Sequence, residues 1–191
     1  MLWLILGLVL FLGPHSSRIF AEHWRQGQIT RRGEKTWKGA YSLLSLVGFV
    51  LLVWGYGQAR LNPVPLWEPV LALRHLATPL TLVAFVLVVA AHVPRNAFKA
   101  RLGHPMVMGV KVWSFAHLLA NHTLADVVLF GSFLAWSVLC FIAARKRDRL
   151  AGVVPQAATL SGTLISVGAG VVAWAVFVVW AHQAWIGVRP Y

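Results

Sequence analysis

The chain has 191 residues, of which 59% are hydrophobic and 12% charged, and its formal net charge is +12. A soluble domain carries about 25% charged residues, so this deficit, with a mean hydropathy of +0.71, excludes an ordinary soluble fold and points to the lipid bilayer. A nucleic-acid-binding role is excluded too, because it needs a folded polar surface to carry the positive charge.

A membrane-crossing helix needs about 20 predominantly apolar residues, and six segments approach that length. They predict one all-α domain over residues 1–191, a polytopic transmembrane helical bundle with about six membrane-spanning helices. The first segment is Leu2–Phe20. It starts Met1-Leu2-Trp3-Leu4 with no cation ahead of the apolar run, which reads as a retained helix and not as a cleaved signal. Its strictly apolar part ends at Gly13, and Pro14-His15-Ser16-Ser17 reads as a polar turn at membrane depth. Whether the segment crosses or re-enters, His15 must face protein. The following spans are Ala40–Tyr56, Val70–Ala91, His104–Asn121, Leu124–Ala144 and Ala157–Trp185.

Basic residues set the orientation. The first loop holds Arg18, Arg25, Arg31, Arg32, Lys35 and Lys38, the third Arg95, Lys99 and Arg101, and the fifth Arg145, Lys146, Arg147 and Arg149. The alternate loops offer only Arg60 and Arg74, then nothing in Asn121-His122-Thr123, and Arg189 lies near the C-terminus. Positive-inside bias predicts cytoplasmic odd loops and both termini in the periplasm. Gly162, Ser166 and Gly170 in the sixth span, and Ser45, Gly48 and Gly55 in the second, are small residues spaced for close helix approach. Trp3, Trp37, Trp54, Trp67 and Trp185 fall near span ends, whereas Trp113, Trp136 and Trp174 lie deeper and read as packing residues or pocket walls. The lone Cys140, in an apolar run, allows no internal disulfide and no multi-cysteine zinc site.

The fourth span carries the densest chemistry. His104, Lys111, Ser114, His117 and Asn121 share one helix face, with Val110, Val112, Phe115 and Leu119 assigned to an apolar one. A lysine inside a span costs about 2.5–3.5 kcal/mol on insertion scales, so such residues face a cavity or a partner. Lys111, Ser114, His117 and Asn121 are therefore expected to line an interior cavity with His15 and Ser16. His15 lies about 20 Å along its span and His117 about 20 Å along the oppositely directed one, which places both in the middle third of the membrane. Two neutral imidazoles at such depth suit the two axial positions of a heme, or a smaller metal. The ring nitrogen turned away from iron needs an acceptor, for which Ser16, Ser114 or a carbonyl freed by Pro14 is available. His23, His92, His75, His122 and His182 sit at wet span ends and read as solvated; no paired carboxylates, phosphate loop or Ser-His-Asp order is present.

Several segments together resemble one family over essentially the whole chain. They are Gly13-Pro14-His15-Ser16-Ser17-Arg18, Trp37-Lys38-Gly39-Ala40-Tyr41-Ser42-Leu43, Leu52-Val53-Trp54-Gly55-Tyr56-Gly57, His104-Pro105-Met106, and Trp113 through Asn121. Leu129 through Trp136 and His182 through Val188 complete them. The resemblance is to the NnrU family. It implies a multi-pass bacterial inner-membrane protein linked to nitrite and nitric oxide reduction in denitrification, with nitric oxide or nitrite reductase components as possible partners. NnrU proteins are in turn similar to the zeta-carotene cis-trans isomerases, which hold heme b between histidines. Their His-Ser matches His15-Ser16, and their Trp-Cys-x-Ala-His matches Trp113-Ser114-Phe115-Ala116-His117. The resemblance thus implies heme b with His15 and His117 as iron ligands, and Ser16, Lys111 and Ser114 complete the candidate cofactor-binding set. Ser114 replaces the cysteine that exchanges with histidine in the isomerases. Serine is a poor ligand for a soft metal, so that exchange is not expected here.

Three other readings stand beside this one: a redox isomerase of an apolar polyene, a non-catalytic accessory factor for nitric oxide reductase, and a membrane methyltransferase. The last rests on His104-Pro105-Met106-Val107-Met108-Gly109, which resembles the Arg-His-Pro-x-Tyr-x-Gly motif of S-adenosylmethionine-dependent enzymes. Gly103 and Val107 replace its arginine and tyrosine, and no Glu-Glu pair follows.

Overall fold

The computed structural model describes residues 1–190. In chain order the helices are α1 (Leu2–Phe20), α2 (Glu22–Arg32), α3 (Glu34–Ala59), α4 (Leu71–Ala90) and α5 (Ala97–Leu102). Then come α6 (Pro105–Ala120), α7 (Leu124–Leu150), α8 (Leu160–Val176), a π-helical turn (Phe177–Ala181) and α9 (His182–Ile186). Among the described residues, five helical stretches are long and apolar enough to cross a membrane: α1, α3, α4, α7 and the continuous run Leu160–Ile186. The sixth apolar helix, α6, has only 16 residues and is about 24 Å long. Large apolar side chains such as Leu43, Val50, Leu164 and Val172 stand more than half exposed, as hydrocarbon-facing groups do. The molecule is an all-α integral membrane protein.

Two compact units make up the chain. The first comprises Met1–Glu68 and His122–Ala143. Here α1 packs antiparallel on α3 through glycines. A Cβ on Gly7 would lie 2.3 Å from the Leu52 nitrogen, one on Gly48 2.5 Å from that of Phe11, and one on Gly55 2.4 Å from that of Leu4. Backbone therefore meets backbone along the whole seam, as the small-residue pattern of the second span predicts. The Tyr56 hydroxyl of α3 donates to Asp126 Oδ1 at 2.5 Å, while Asp126 Oδ2 accepts from the backbone N–H and the hydroxyl of Thr123. The buried carboxylate so closes a capping box at the start of α7. The incoming strand-like segment is pinned at the same end, with Leu66 N–H donating to His122 O and Leu124 N–H to Val64 O.

The second unit comprises Pro69–Asn121 and Ala144–Tyr191. Its α8 lies antiparallel on α4, with Gly170 against Val86 and Gly162 against the Pro94 and Arg95 carbonyls, while Ser166 between them is fully buried. Trp174 Nε1 donates to Thr81 Oγ1 at 3.1 Å across the same seam. On α6, Gly109 meets Ala84 and Val88 of α4. Asn96 is fully buried and satisfied: Nδ2 donates to the Ala90 and Val93 carbonyls, and Oδ1 accepts from Lys99 N–H to cap α5.

Four local differences from the sequence reading have physical causes. Pro14-His15-Ser16-Ser17 is not a turn; α1 runs straight through it. Its polar groups are satisfied inside the helix, Ser16 Oγ donating to Leu12 O and His15 Nδ1 bonding Phe11 O. The first and third basic loops are partly helical, as α2 and α5. The basic segment Arg145–Arg149 continues α7 instead of ending it. The last span begins at Leu160, capped by Thr159, and changes to π geometry at Phe177.

Candidate functional site

The two histidines that the sequence places at membrane depth belong to different units and are built alike. His15 sits on α1 with Nδ1 2.6 Å from the Phe11 carbonyl, four residues back. His117, in the last turn of α6, has Nδ1 2.9 Å from the Trp113 carbonyl, also four back. A carbonyl only accepts, so each Nδ1 carries the proton, and in the neutral ring the lone pair sits on Nε2. The acceptors differ from those expected: neither Ser16 nor Ser114 serves, since each donates to a carbonyl of its own, Leu12 and Val110. Pro14 frees the Leu10 carbonyl, yet His15 uses Phe11.

Aromatic rings position both imidazoles. His15 lies 4.5 Å from the Phe11 ring, 5.1 Å from Tyr41 of α3 and 6.1 Å, edge-on, from Trp136 of α7. His117 lies 5.0 Å from Trp113. Beside His15, the Trp136 Nε1 donor is buried with no hydrogen-bond partner among the described residues. An orphaned N–H in an apolar interior is costly unless something completes it.

On α6, Gly109 and Ala116, seven residues apart and both buried, mark one face, and Gly109 meets α4. At about 100° per residue the stripe Lys111, Ser114, His117 and Asn121 is turned away from that face, with Lys111 nearly opposite Gly109 and His117 on its flank. Ser114 is fully buried there, and Asn121 Nδ2 donates to the His117 carbonyl as the helix ends. Val110 falls within this polar stripe and not on the apolar side, its carbonyl accepting from Ser114. Phe115, 46% exposed, does face outward. His104 leaves the group: it precedes the helix, and its Nε2 pairs with Asp148 at 2.9 Å. It lines a cleft of about 300 Å³ with Lys99 and Met106.

Sequence reasoning missed Tyr41 and Trp136 as neighbours of His15 and the Tyr56–Asp126 bond. Nothing in their spacing relates them to their partners; only the α1–α3 register and the packing of α7 do. Among the described residues no three histidine, cysteine or acidic side chains gather as a metal-ligand set. The family model described as NnrU protein matches residues 3–190 of the chain. No curated protein and no solved structure matches it.

Proposed function

Since that match spans nearly its whole length, the chain belongs to the NnrU family, and we propose that it is a heme b protein of the bacterial inner membrane serving nitrite and nitric oxide reduction. His15 and His117 each offer Nε2 as an iron ligand. The observation that carries this reading is the pair of Nδ1–carbonyl bonds: a ligating histidine typically donates its other ring N–H to such an acceptor, which fixes the tautomer and raises the basicity of the ligating nitrogen. Axial coordination asks for only one or two side chains, which suits isolated histidines better than a site needing three ligands. The unpartnered Trp136 N–H beside His15 adds a donor for a bound group, and Lys111 supplies a cation suited to a propionate. When bound, heme b would supply a one-electron redox centre. The Ser114 hydroxyl is committed to the Val110 carbonyl, so a change of ligand at that position is not part of the proposal. Both termini are assigned to the periplasm on the distribution of Arg and Lys.

The visible spectrum of protein purified in detergent tests this. A Soret band with a low-spin, bis-histidine signature in both oxidation states is expected. His15→Ala or His117→Ala should lose the heme or leave it five-coordinate and high-spin, and His92→Ala or His182→Ala should leave the spectrum unchanged. If both ligand variants kept the wild-type spectrum, the ligand assignment would fail. A colourless protein, even after growth with excess heme precursor, would leave the accessory-factor reading in its place.

A further inference from the structure

In the first unit, α2 bridges the ends of α1 and α3, and the three helices enclose a groove of about 820 Å³, within the range of about 300–1,000 Å³ of small-molecule sites. Its walls are graded. The deep end is apolar, at Gly13 of α1 and Leu44 of α3. Moving outward, α1 climbs to Phe20 and the antiparallel α3 to Trp37. Above them Trp24, Gln28 and Arg32, at four-residue spacing, give α2 one groove-facing side that ends in a cation. Phe20 is 72% exposed and Trp24 57%, and the Trp24 ring meets Trp37 edge-on at 5.6 Å, holding α2 over the opening.

Charge marks the outer end. Glu22 takes Arg18 and Arg25, and Glu34 takes Lys38. Arg31, Arg32 and Lys35 then have no carboxylate partner among the described residues. Of these, only Arg32 lines the groove, and a cation above an apolar slot complements one kind of occupant: a molecule with an apolar chain below and an anion above. In a membrane, basic residues on an interfacial helix select anionic lipid.

We propose that the α1–α2–α3 groove is a binding site for an anionic phospholipid, its acyl chain between α1 and α3 and its phosphate at Arg32. The groove's inner wall carries Ser16 and Tyr41, next to His15, so its test reads lipid cross-linking and leaves the histidine spectrum aside. The probes are phosphatidylglycerol and phosphatidylcholine carrying a photoactivatable acyl chain, each in nanodiscs with the wild-type protein. Cross-links to phosphatidylglycerol should concentrate in residues 13–44 and exceed those to phosphatidylcholine about fivefold, the factor that one cation at an anionic surface is worth. Arg32→Gln should remove most of that preference, and Ala40→Trp, which fills the groove, should remove both labels from the segment. Labelling spread evenly over all lipid-facing helices, or equal yields for the two lipids in residues 13–44, would overturn the proposal. The wild-type map alone decides it if a variant fails to fold.

Discussion

Asp126 shows what one buried side chain is asked to do. Only 5% exposed, it accepts from Tyr56, from the Thr123 backbone and from the Thr123 hydroxyl. A hydrogen bond to a charged group contributes about 1.5–3 kcal/mol. Tyr56→Phe deletes one donor and leaves the carboxylate in place, so unfolding in detergent should show a loss of about 2 kcal/mol. Thr123 and Asp126 were legible as a possible helix start, because Thr-x-x-Asp before an apolar run is a capping pattern. The Tyr56 partner was not, being 70 residues away. The histidines divide the same way. Their location inside apolar spans flagged them, but the carbonyls that fix their tautomers could not be read, because every helix offers a carbonyl four residues back and only the side-chain rotamer decides its use.

At the level of elements, glycine positions separate structure from composition. Gly55 and Gly57 lie on the same helix, yet a Cβ on Gly55 would meet the Leu4 backbone at 2.4 Å and one on Gly57 would meet nothing within 4 Å. Gly55→Ala must push α1 off α3 and should cost about 3 kcal/mol as an overpacked contact. Gly57→Ala should be neutral or stabilise by up to about 1 kcal/mol through helix propensity. Thermal unfolding of the two variants side by side checks the seam. The spans and their small-residue faces were readable because burial in lipid demands long apolar runs and close packing demands small residues. Helices α2 and α5 were not, since polar and basic side chains look like a loop to a hydropathy reading while imposing no barrier to helix formation. The extension of α7 through Arg145–Arg149 escaped for the same reason.

For the molecule as a whole, the distribution of cations predicts that every strongly basic segment lies on the cytoplasmic side. Reporter fusions at Arg32, Arg101 and Gly152 should all report cytoplasm; a periplasmic report at Arg101 would break the pairing of α4 with α6 on which the orientation of His117 depends. Gly152 is a suitable fusion site because α7, at 27 residues and about 40 Å, carries the basic run before it past a hydrocarbon core of about 30 Å. The π turn at Phe177–Ala181 bears on how the chain tolerates changes of length. Such a turn accommodates one residue more than an α-helix covering the same path, so the molecule holds a spare residue there. Deleting Val178 should return the segment to α geometry, leave both flanks in register and barely move the melting temperature. Deleting Val167 should turn Gly170 about 100° away from Val86, and the same measurement should fall sharply.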